Sequence, residues 1–192
     1  AKGSQSLQND QVQKLINQAY DVLCVNMVDR TAAADVIDQG KAADVPIVFF
    51  NREPVEEDMQ RWDKLYYVCS LAGESGEIQG KIIADTYFAD PDKWDKNGDG
   101  RLQYVILEGE RGHQDSLIRT ESTLKTLTDR GIITERLASQ TANWRRAEAG
   151  EIVSGWLDEY GNQIEMVISN NDNMALGAID AYHTAGRTPL PI

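Results

Sequence analysis

The chain has 192 residues, of which 41% are hydrophobic, so it can bury a core and does not have the composition of a disordered protein. Its net charge of −12 argues against nucleic acids and against anionic membrane surfaces as partners. No apolar run approaches the length of a membrane span.

Apolar runs and amphipathic segments alternate along the first part of the chain. Leu7, Val12, Leu15 and Ile16 recur at helical spacing, which predicts a helix over residues 5–19. A second helix is predicted over residues 32–43, with Thr31 as its N-cap. Strands are predicted over residues 21–27, 46–50 and 65–69, and a surface connection or short helix over residues 55–64.

The same alternation continues to the end of the chain. Residues 74–88 predict a helix whose apolar face is formed by Ile78, Ile82, Ile83 and Tyr87. Further elements are predicted in chain order: strand 102–107, helix 115–128, strand 132–137, helix 145–160, strand 164–169 and helix 172–185, which ends at Gly186. Residues 189–192 have the pattern of another strand beginning, and the chain starts without Met, so we interpret it as a piece of a longer chain.

Short apolar strands that alternate with helices are typical of a sheet covered on both faces. The sequence therefore predicts an α/β fold with doubly wound parallel sheets. Cys24 and Cys69 each lie in an apolar run, so both are interpreted as buried core thiols, although a disulfide stays open.

Residues 95–103 carry the pattern of the first nine positions of a helix-flanked calcium loop. Side-chain oxygens occupy positions 1, 3, 5 and 9, which are Asp95, Asn97, Asp99 and Gln103. Gly100 at position 6 permits the sharp turn, and Arg101 at position 7 would offer its backbone carbonyl. Calcium binds six to eight oxygens, so the segment needs a further carboxylate.

The ordinary loop obtains that carboxylate from a bidentate Glu at position 12. Position 12 here is Ile106, an apolar residue of a predicted strand. Two interpretations follow. Either the carboxylate comes from elsewhere in the chain, or the segment is a plain turn, because Asn, Asp and Gly are common turn residues.

Polar and aromatic side chains follow several predicted strands. In a parallel α/β sheet the residues after the carboxyl ends of the strands meet in one crevice, where ligands bind. The residues in this position are Asn51, His113, Asp115, Trp144, Asn170, Asn171 and Asp172. Arg119 lies four residues after Asp115 on a predicted helix, so the two side chains share a face.

These residue types suit a carbohydrate. Planar polar groups pair with vicinal hydroxyls, and an aromatic face packs on the C–H side of a sugar ring. Each residue also has a structural interpretation: Asp115 as a first-turn helix carboxylate paired with Arg119, Asn171 as an N-cap, Asn51 as a turn residue, Trp144 as a packing residue and His113 as a loop residue without a role. Their shared position at strand ends favours the binding interpretation.

At these residues the chain resembles the periplasmic galactose/glucose-binding proteins, a family of bacterial sugar-binding solute-binding proteins. The resemblance extends from about Asn9 to Pro191. The segments that carry it are Val48-Phe49-Phe50-Asn51-Arg52-Glu53-Pro54, Trp94 to Gln103, Gly112-His113-x-Asp115-x-x-x-Arg119, Thr141-Ala142-Asn143-Trp144, and Ile164-Glu165-x-Val167-Ile168-x-Asn170-Asn171-Asp172-x-Met174-Ala175. Together these motifs are far more specific than any one of them.

The resemblance implies a two-lobe type I periplasmic-binding-protein fold, here incomplete at both ends. Residues 1–70 would form part of the N-terminal lobe and residues 71–192 most of the C-terminal lobe, with the first crossover near Ser70 and Leu71. The sugar, D-glucose or D-galactose, would lie between the lobes. The residues implied to contact it are Asn51, His113, Asp115, Arg119, Trp144 and Asn171, with Trp144 stacked on the pyranose ring.

The resemblance also implies a structural calcium ion. Its ligands would be Asp95, Asn97, Asp99, Arg101, Gln103 and Glu165. Glu165 would supply the missing bidentate carboxylate from the predicted strand 164–169. The alternative for Glu165 is a strand-edge acid that faces solvent.

The implied function is binding, without catalysis. The protein would be a monomer in the periplasm or lipid-anchored at the cell surface, would deliver its sugar to a membrane ABC permease, and in some members would also signal through a chemoreceptor. The alternative is the effector domain of a LacI-type transcriptional repressor, which shares the fold. A glycosidase needs two carboxylates with separate roles, and the residues implied to contact the sugar include one carboxylate, that of Asp115.

Overall fold

The computed structural model describes residues 1–190, and the chain divides into two compact units, Ala1–Ser70 and Leu71–Ile192, called unit 1 and unit 2 below. Pro191 and Ile192, which belong to the predicted strand start, lie outside the described residues. Residues 189 and 190, the other half of that prediction, have no regular structure.

Unit 1 is a parallel sheet with helices on one face. Its strands pair in the order β1-β2-β3, with β1 at Leu23–Val25, β2 at Ile47–Phe50 and β3 at Leu65–Val68. Its helices are α1 at Gln5–Asn17, α2 at Ala34–Ala42 and the short α3 at Glu56–Met59. The predicted order of elements is therefore confirmed.

The side chains of the unit 1 strands alternate between a buried and an open face. Val25, Ile47 and Phe49 point into a core that the helices complete. Cys24 lies on the opposite face and Cys69 just after β3, and both are exposed free thiols. The prediction of buried thiols is therefore wrong: Cys24 lies between two buried strand residues and points the other way, and Cys69 lies beyond the end of β3.

The start of α2 also differs from the prediction. Asp29, not Thr31, is the capping residue: its carboxylate accepts hydrogen bonds from the backbone N–H and the hydroxyl of Thr31, at 2.9 and 2.7 Å. It caps a 3-10 turn at Arg30–Ala32, and α2 follows with Ala33 as an N-cap that has no side-chain hydrogen bond.

Unit 2 contains a second parallel sheet, in the order β5-β4-β6. Its elements in chain order are α4 at Ala72–Ala89, α5 at Pro91–Trp94, β4 at Leu102–Glu108, α6 at Gln114–Asp129, β5 at Thr134–Thr141, α7 at Arg146–Glu159, β6 at Met166–Ser169 and α8 at Asp172–Thr184. Gly186 follows α8 with φ of 66°, as expected for a residue that ends a helix.

The central strand β4 is buried on both faces. Val105 and Leu107 pack into a core with α7 and α8, while Tyr104 and Ile106 pack into a second core with α4 and α6. The doubly wound arrangement is thus confirmed in unit 2. It places the carboxyl ends of β4, β5 and β6 side by side at one edge of the sheet.

The apolar face predicted for α4 is only partly buried. Ile83 is 8% exposed, but Ile78 and Ile82 are 49% and 61% exposed. The helix instead turns two glycines toward α6: a Cβ on Gly76 would lie 2.6 Å from the carbonyl oxygen of Arg119, and one on Gly80 would lie 2.6 Å from the Cβ of Thr126. The close approach of the two helices through glycine decides which face is buried.

Candidate functional site

His113 caps helix α6 after the loop that follows β4. Its Nδ1 accepts a hydrogen bond from the backbone N–H of Asp115 at 3.2 Å, which satisfies one of the open N–H groups of the first turn. An accepting Nδ1 puts the proton of the neutral ring on Nε2. His113 is only 5% exposed, so the structure holds the ring in place at the strand ends.

Asp115 and Arg119 lie one turn apart on α6, with 3.4 Å between a carboxylate oxygen and Nη2. Both side chains are mostly buried, at 15% and 21% exposed. Nη1 of Arg119 donates to the backbone carbonyl of Asn170 at 2.9 Å, whereas its buried Nε has no hydrogen-bond partner within residues 1–190. The guanidinium is thus fixed at the end of β6.

Asn170 connects the elements around this cluster, and sequence reasoning gave it no role beyond its place at a strand end. Its Oδ1 accepts from the backbone N–H of Gly109 at 3.0 Å and from the hydroxyl of Ser116 at 2.9 Å. Its Nδ2 donates to the hydroxyl of Thr120 at 3.0 Å, and the residue is 4% exposed. A buried amide with all these partners fixes the ends of β4 and β6 relative to α6. The sequence signal for it is weak: an amide directly after an apolar strand.

Trp144 lies in a tight turn after β5. The backbone N–H of Arg145 donates to the carbonyl of Ala142 at 2.8 Å, and the two residues between them, Asn143 and Trp144, have φ of 51° and 63°. Asn adopts this left-handed backbone readily, but for Trp it costs on the order of 1–3 kcal/mol. Strain of this kind is typical of functional sites.

The indole of Trp144 packs against the end of β4. A Cβ on Gly109 would lie 2.2 Å from two atoms of the six-membered ring, so this approach requires glycine. The indole also contacts the ring of His113, with 5.3 Å between the ring centroids. His113 and Trp144, which the sequence placed after different strands, are therefore neighbours.

Asn171 is the N-cap of α8, where its Oδ1 accepts from the backbone N–H of Met174 at 3.0 Å. Asn171 thus has the N-cap role that the sequence suggested, and it directly follows Asn170, the partner of Arg119. Unit 2 therefore brings together His113, Asp115, Arg119, Trp144 and Asn171.

Asn51 belongs to unit 1 and directly follows β2. Its φ is 64°, and its carbonyl accepts a hydrogen bond from the hydroxyl of Tyr67 at 2.9 Å. Arg52 beside it donates to the carbonyl of Val28 at 2.6 Å. The turn is thus tied to two neighbouring segments of unit 1, and the Asn51 side chain is presented at the carboxyl end of its sheet.

A cleft of about 400 Å³ lies in unit 2 between α4 and the end of β6. Arg119, Asn170, Asn171 and Asp172 line it together with residues of α4 such as Gln79. The Nε2 of Gln79 donates to the carbonyl of Ser169 at 3.0 Å. Polar groups from the strand end thus face an open space, but His113 and Trp144 do not line this cleft.

Side-chain oxygens organise the backbone of residues 95–103. The two carboxylate oxygens of Asp95 accept from the backbone N–H groups of Asp99 and Gly100, at 3.0 and 2.8 Å. Oδ1 of Asn97 accepts from the N–H of Asp99 at 2.9 Å, and Oδ2 of Asp99 accepts from Nε2 of Gln103 at 2.7 Å. The side-chain oxygens of positions 1, 3 and 5 are therefore gathered around one turn, and position 9 contacts it through its amide nitrogen.

Glu165 ties this turn to the strand beside it. Its two carboxylate oxygens accept from the backbone N–H of Lys96 at 2.6 Å and of Gln103 at 3.0 Å, and the residue is 1% exposed. Its own N–H donates to the carbonyl of Gln103 at 2.9 Å, so it continues the pairing of β6 with β4. The alternative of a solvent-facing acid at this position is wrong.

The donor set suits a hard cation. Oε1 of Gln103 is buried and has no hydrogen-bond partner within residues 1–190, which leaves one oxygen for a further contact. Carboxylate, amide and carbonyl oxygens are the ligands that calcium prefers. The described residues contain no group of three His, Cys, Asp or Glu arranged for a metal, so the carboxylates of Asp95, Asp99 and Glu165 do not surround one point in this structure.

Comparison with known proteins assigns the family. The sequence profile of the periplasmic binding protein domain matches residues 1–192, and the chain belongs to this family. The D-galactose/methyl-galactoside binding periplasmic protein MglB of Haemophilus influenzae is 42% identical over the whole chain, which spans 58% of that relative. The xylitol-binding protein of Mycolicibacterium smegmatis is 29% identical, and the whole chain spans 50% of it.

A solved structure gives the same result. The solute-binding protein of an ABC transporter from Bacillus halodurans C-125, with bound myo-inositol, superposes with a TM-score of 0.78 at 29% identity, over 97% of this chain and 59% of that one. The α/β fold of periplasmic binding proteins with parallel sheets is thereby confirmed. The chain spans about half to three-fifths of the length of these relatives.

Two further findings concern catalysis, from the family, and membrane spans, from the helices of this chain. Its members reported above are binding proteins, and the prediction that this chain is not an enzyme is confirmed. Within residues 1–190, no helix has the length and apolar character needed to cross a membrane.

Proposed function

We propose that this chain is part of an extracytoplasmic binding protein for D-glucose or D-galactose that delivers its sugar to a membrane ABC permease. The observation that carries this proposal is the position of His113, Asp115, Arg119, Trp144 and Asn171 at one sheet edge, where His113 contacts Trp144 and Arg119 contacts Asp115 and the carbonyl of Asn170. The 42% identity to a galactoside-binding relative supports a hexose.

In this proposal the polar groups bind sugar hydroxyls and the indole stacks on the ring. Asp115 accepts hydrogen bonds from hydroxyls, while Arg119 and Nε2 of His113 donate them. Trp144 covers the C–H face of a pyranose. Asn51 of unit 1 and Asn171 of unit 2 each add an amide, which can donate and accept at adjacent hydroxyls.

The two units correspond in this proposal to parts of two lobes, residues 1–70 and 71–192. A sugar that contacts both lobes binds the closed form more tightly than the open form, so it shifts the population toward closure. The closed surface is then the one that a permease recognises, and in some proteins of this kind a chemoreceptor as well. We place the protein in the periplasm or, with a lipid anchor, at the cell surface, and as a monomer.

We further propose that residues 95–103 and Glu165 hold a calcium ion with a structural role. Asp95, Asn97, Asp99 and Gln103 would bind through side-chain oxygens, Arg101 through its carbonyl and Glu165 through its carboxylate. The unpartnered Oε1 of Gln103 and the position of Glu165 support this set. A calcium ion would neutralise the gathered carboxylates and fix the loop to β6.

The ligands of these relatives define the competing substrates. Xylitol and myo-inositol share vicinal hydroxyls with hexoses, so a polyol is the nearest alternative to glucose and galactose. A repressor effector domain has no support among the relatives reported above, which are all binding proteins.

The test is calorimetric titration of the intact-length protein with D-glucose, D-galactose, D-ribose, xylitol and myo-inositol, each in calcium and in chelator. We expect tight binding of a hexose and weak or no binding of the other compounds. Preferential binding of ribose or a polyol would reassign the substrate. The absence of heat with all five would contradict the sugar-binding proposal itself.

A further inference from the structure

The side chain of Glu148 is bonded to the residues on both sides of Trp144. Its Oε2 accepts a hydrogen bond from Nδ2 of Asn143 at 2.7 Å, and its Oε1 accepts one from Nη1 of Arg145 at 2.8 Å. One carboxylate therefore spans the residue that carries the indole.

The position of Glu148 in α7 explains why it can reach back. The helix begins at Arg146 with Arg145 as N-cap, so Glu148 is its third residue. A Glu at this position commonly turns back toward the N-cap residue, and negative charge is favoured near a helix N-terminus. The N-cap residue, Arg145, makes no side-chain capping bond of its own. The Glu148 carboxylate accepts hydrogen bonds from the side chains of the preceding turn instead.

The preceding turn is strained and needs a restraint. Asn143 and Trp144 are consecutive residues with left-handed backbone, which is unfavourable for Trp. Such a conformation persists only where its surroundings fix it from several directions. The Ala142–Arg145 hydrogen bond closes the turn, and Glu148 fixes the side chains of its second and fourth residues.

The indole itself is held from the opposite direction. The six-membered ring lies over Gly109. The indole also forms a T-shaped contact with the ring of His113, with 5.3 Å between the ring centroids. These contacts set where the ring rests, but they do not fix the backbone from which it projects. The hydrogen bonds to Glu148 lower the pKa of that carboxyl, with the bond from Asn143 as the main cause, in agreement with an ionised, bonded carboxylate.

We infer that Glu148 is a positioning residue for Trp144: it holds the turn of residues 142–145 so that the indole keeps its place against Gly109 and His113. The inference rests on the proposed function only in taking the indole as the surface on which the sugar stacks. The competing explanation is an incidental surface ion pair, since Arg145 is 73% exposed and Glu148 33% exposed. Such pairs commonly have no measurable effect on the groups around them.

The experiment compares Glu148→Ala and Glu148→Gln with a control, Glu151→Ala, in the intact-length protein. Glu151 is exposed, three residues further along the same helix. The readouts are the indole N–H resonance of Trp144, assigned through Trp144→Phe, its nuclear Overhauser contact with His113, the melting temperature and the sugar affinity by calorimetry.

We expect Glu148→Ala to shift or broaden the Trp144 indole resonance and to remove its contact with His113. Sugar binding should weaken about tenfold, because a binding residue without its supporting contacts no longer keeps the geometry that binding requires. Glu148→Gln retains one accepting oxygen and should restore part of both signals. Glu151→Ala should match the wild type.

An unchanged indole resonance and an unchanged His113 contact in Glu148→Ala would overturn the inference, whatever the affinity does. If Glu148→Ala lowers the melting temperature, the test is made on Glu148→Gln instead. Its Trp144 indole resonance and its contact with His113 then decide whether Glu148 positions the indole. A wild-type protein that binds no sugar would contradict the proposed function, while the indole signals would still decide the role of Glu148.

Discussion

The ring of His113 meets the indole of Trp144 edge to face, with the centroids 5.3 Å apart and the ring planes inclined by 79°. Aromatic pairs favour this geometry because the positive edge of one ring faces the negative face of the other. One ring follows β4 and the other follows β5, so the contact joins two strand ends into one surface. Changes to the Trp144 ring should therefore affect ligand binding, whereas changes to His113 should also destabilise α6, which this residue caps.

Trp144→Ala should remove most sugar binding from the intact protein without unfolding it. A buried aromatic anchor commonly contributes 2 kcal/mol or more, so we expect affinity to fall by about 30-fold or more. The residue lies in a strained surface turn, so the melting temperature should change little. Calorimetric titration measures the first effect and thermal unfolding the second. Trp144→Phe serves as the control that retains a stacking face, and equal affinities in wild type and Trp144→Ala would remove stacking from the proposal.

Glu165→Gln should abolish the stabilisation that calcium gives. The wild type should melt at a higher temperature in calcium than in chelator, because an ion that binds only the folded state stabilises it. The substitution also places an amide N–H₂ near the backbone N–H groups of Lys96 and Gln103, which costs about 1–3 kcal/mol with or without calcium. The informative quantity is therefore the difference between calcium and chelator, measured for each variant by thermal unfolding.

Asp92→Asn is the matched control for this experiment, since Asp92 is an exposed acid just before the loop. It should retain the calcium-dependent difference. A difference that survives in Glu165→Gln would show that Glu165 is not a calcium ligand. A wild type that melts equally in calcium and chelator would argue against the ion altogether.

Gly80→Ala should destabilise the protein, and Gly155→Ala should not. An added Cβ at Gly80 lies 2.6 Å from the Cβ of Thr126, so α4 and α6 must separate, at about 1–3 kcal/mol. Gly155 in α7 has nothing within 4 Å of an added Cβ, and Ala there should stabilise the helix by about 0.5–1 kcal/mol. Urea unfolding measures the free energy of unfolding of each variant, which should fall for Gly80→Ala and rise for Gly155→Ala. Similar effects of the two substitutions would show that the α4–α6 contact is not close.

Tyr182→Phe should make the protein more resistant to alkali. Tyr182 is 3% exposed, its hydroxyl has no hydrogen-bond partner within residues 1–190, and burial raises its pKa to about 12 from the ordinary 10.0. The folded state therefore holds the phenol proton more tightly than the unfolded state. The contribution of this group to the free energy of unfolding is fully present below pH 10 and is lost as the pH rises toward 12. The loss over this range is roughly 2–3 kcal/mol.

Urea unfolding at pH 7 and at several values between 10 and 12 tests this prediction. At pH 7 Tyr182→Phe should be as stable as the wild type or more so, because an unpaired buried hydroxyl is removed. Above pH 10 its stability should fall less steeply. Identical slopes for the two proteins would mean that Tyr182 is not buried as a neutral phenol.

The order of strands and helices could be predicted because each apolar run corresponds to one buried element. The details that failed share a physical cause: periodicity identifies an apolar stripe but not the neighbour that covers it. Ile78 and Ile82 form such a stripe, yet α4 buries Gly76 and Gly80, since these allow the closest helix approach. The predicted burial of Cys24 was wrong for a similar reason, because the short strand β1 buries only alternate residues.

The candidate site was predictable to the extent that topology collects strand ends. His113, Asp115 and Trp144 follow different stretches of sequence, and a parallel sheet brings their strand ends together. The supports of these residues were not predictable. Asn170 acts through partners that only the folded chain places beside it, and Gly109 matters because an indole lies over its backbone.

The bond from Glu165 to the loop at residues 95–103 has a consequence for how the chain matures. Gln103 is separated from Glu165 by 62 residues, so the loop lacks this partner until α6, β5 and α7 have been synthesised. A nascent chain that ends before Glu165 can form the local turn but not the anchored one. An ion that needs Glu165 as a ligand would then bind only after this segment has paired with β4, so its binding would report that β6 is in place.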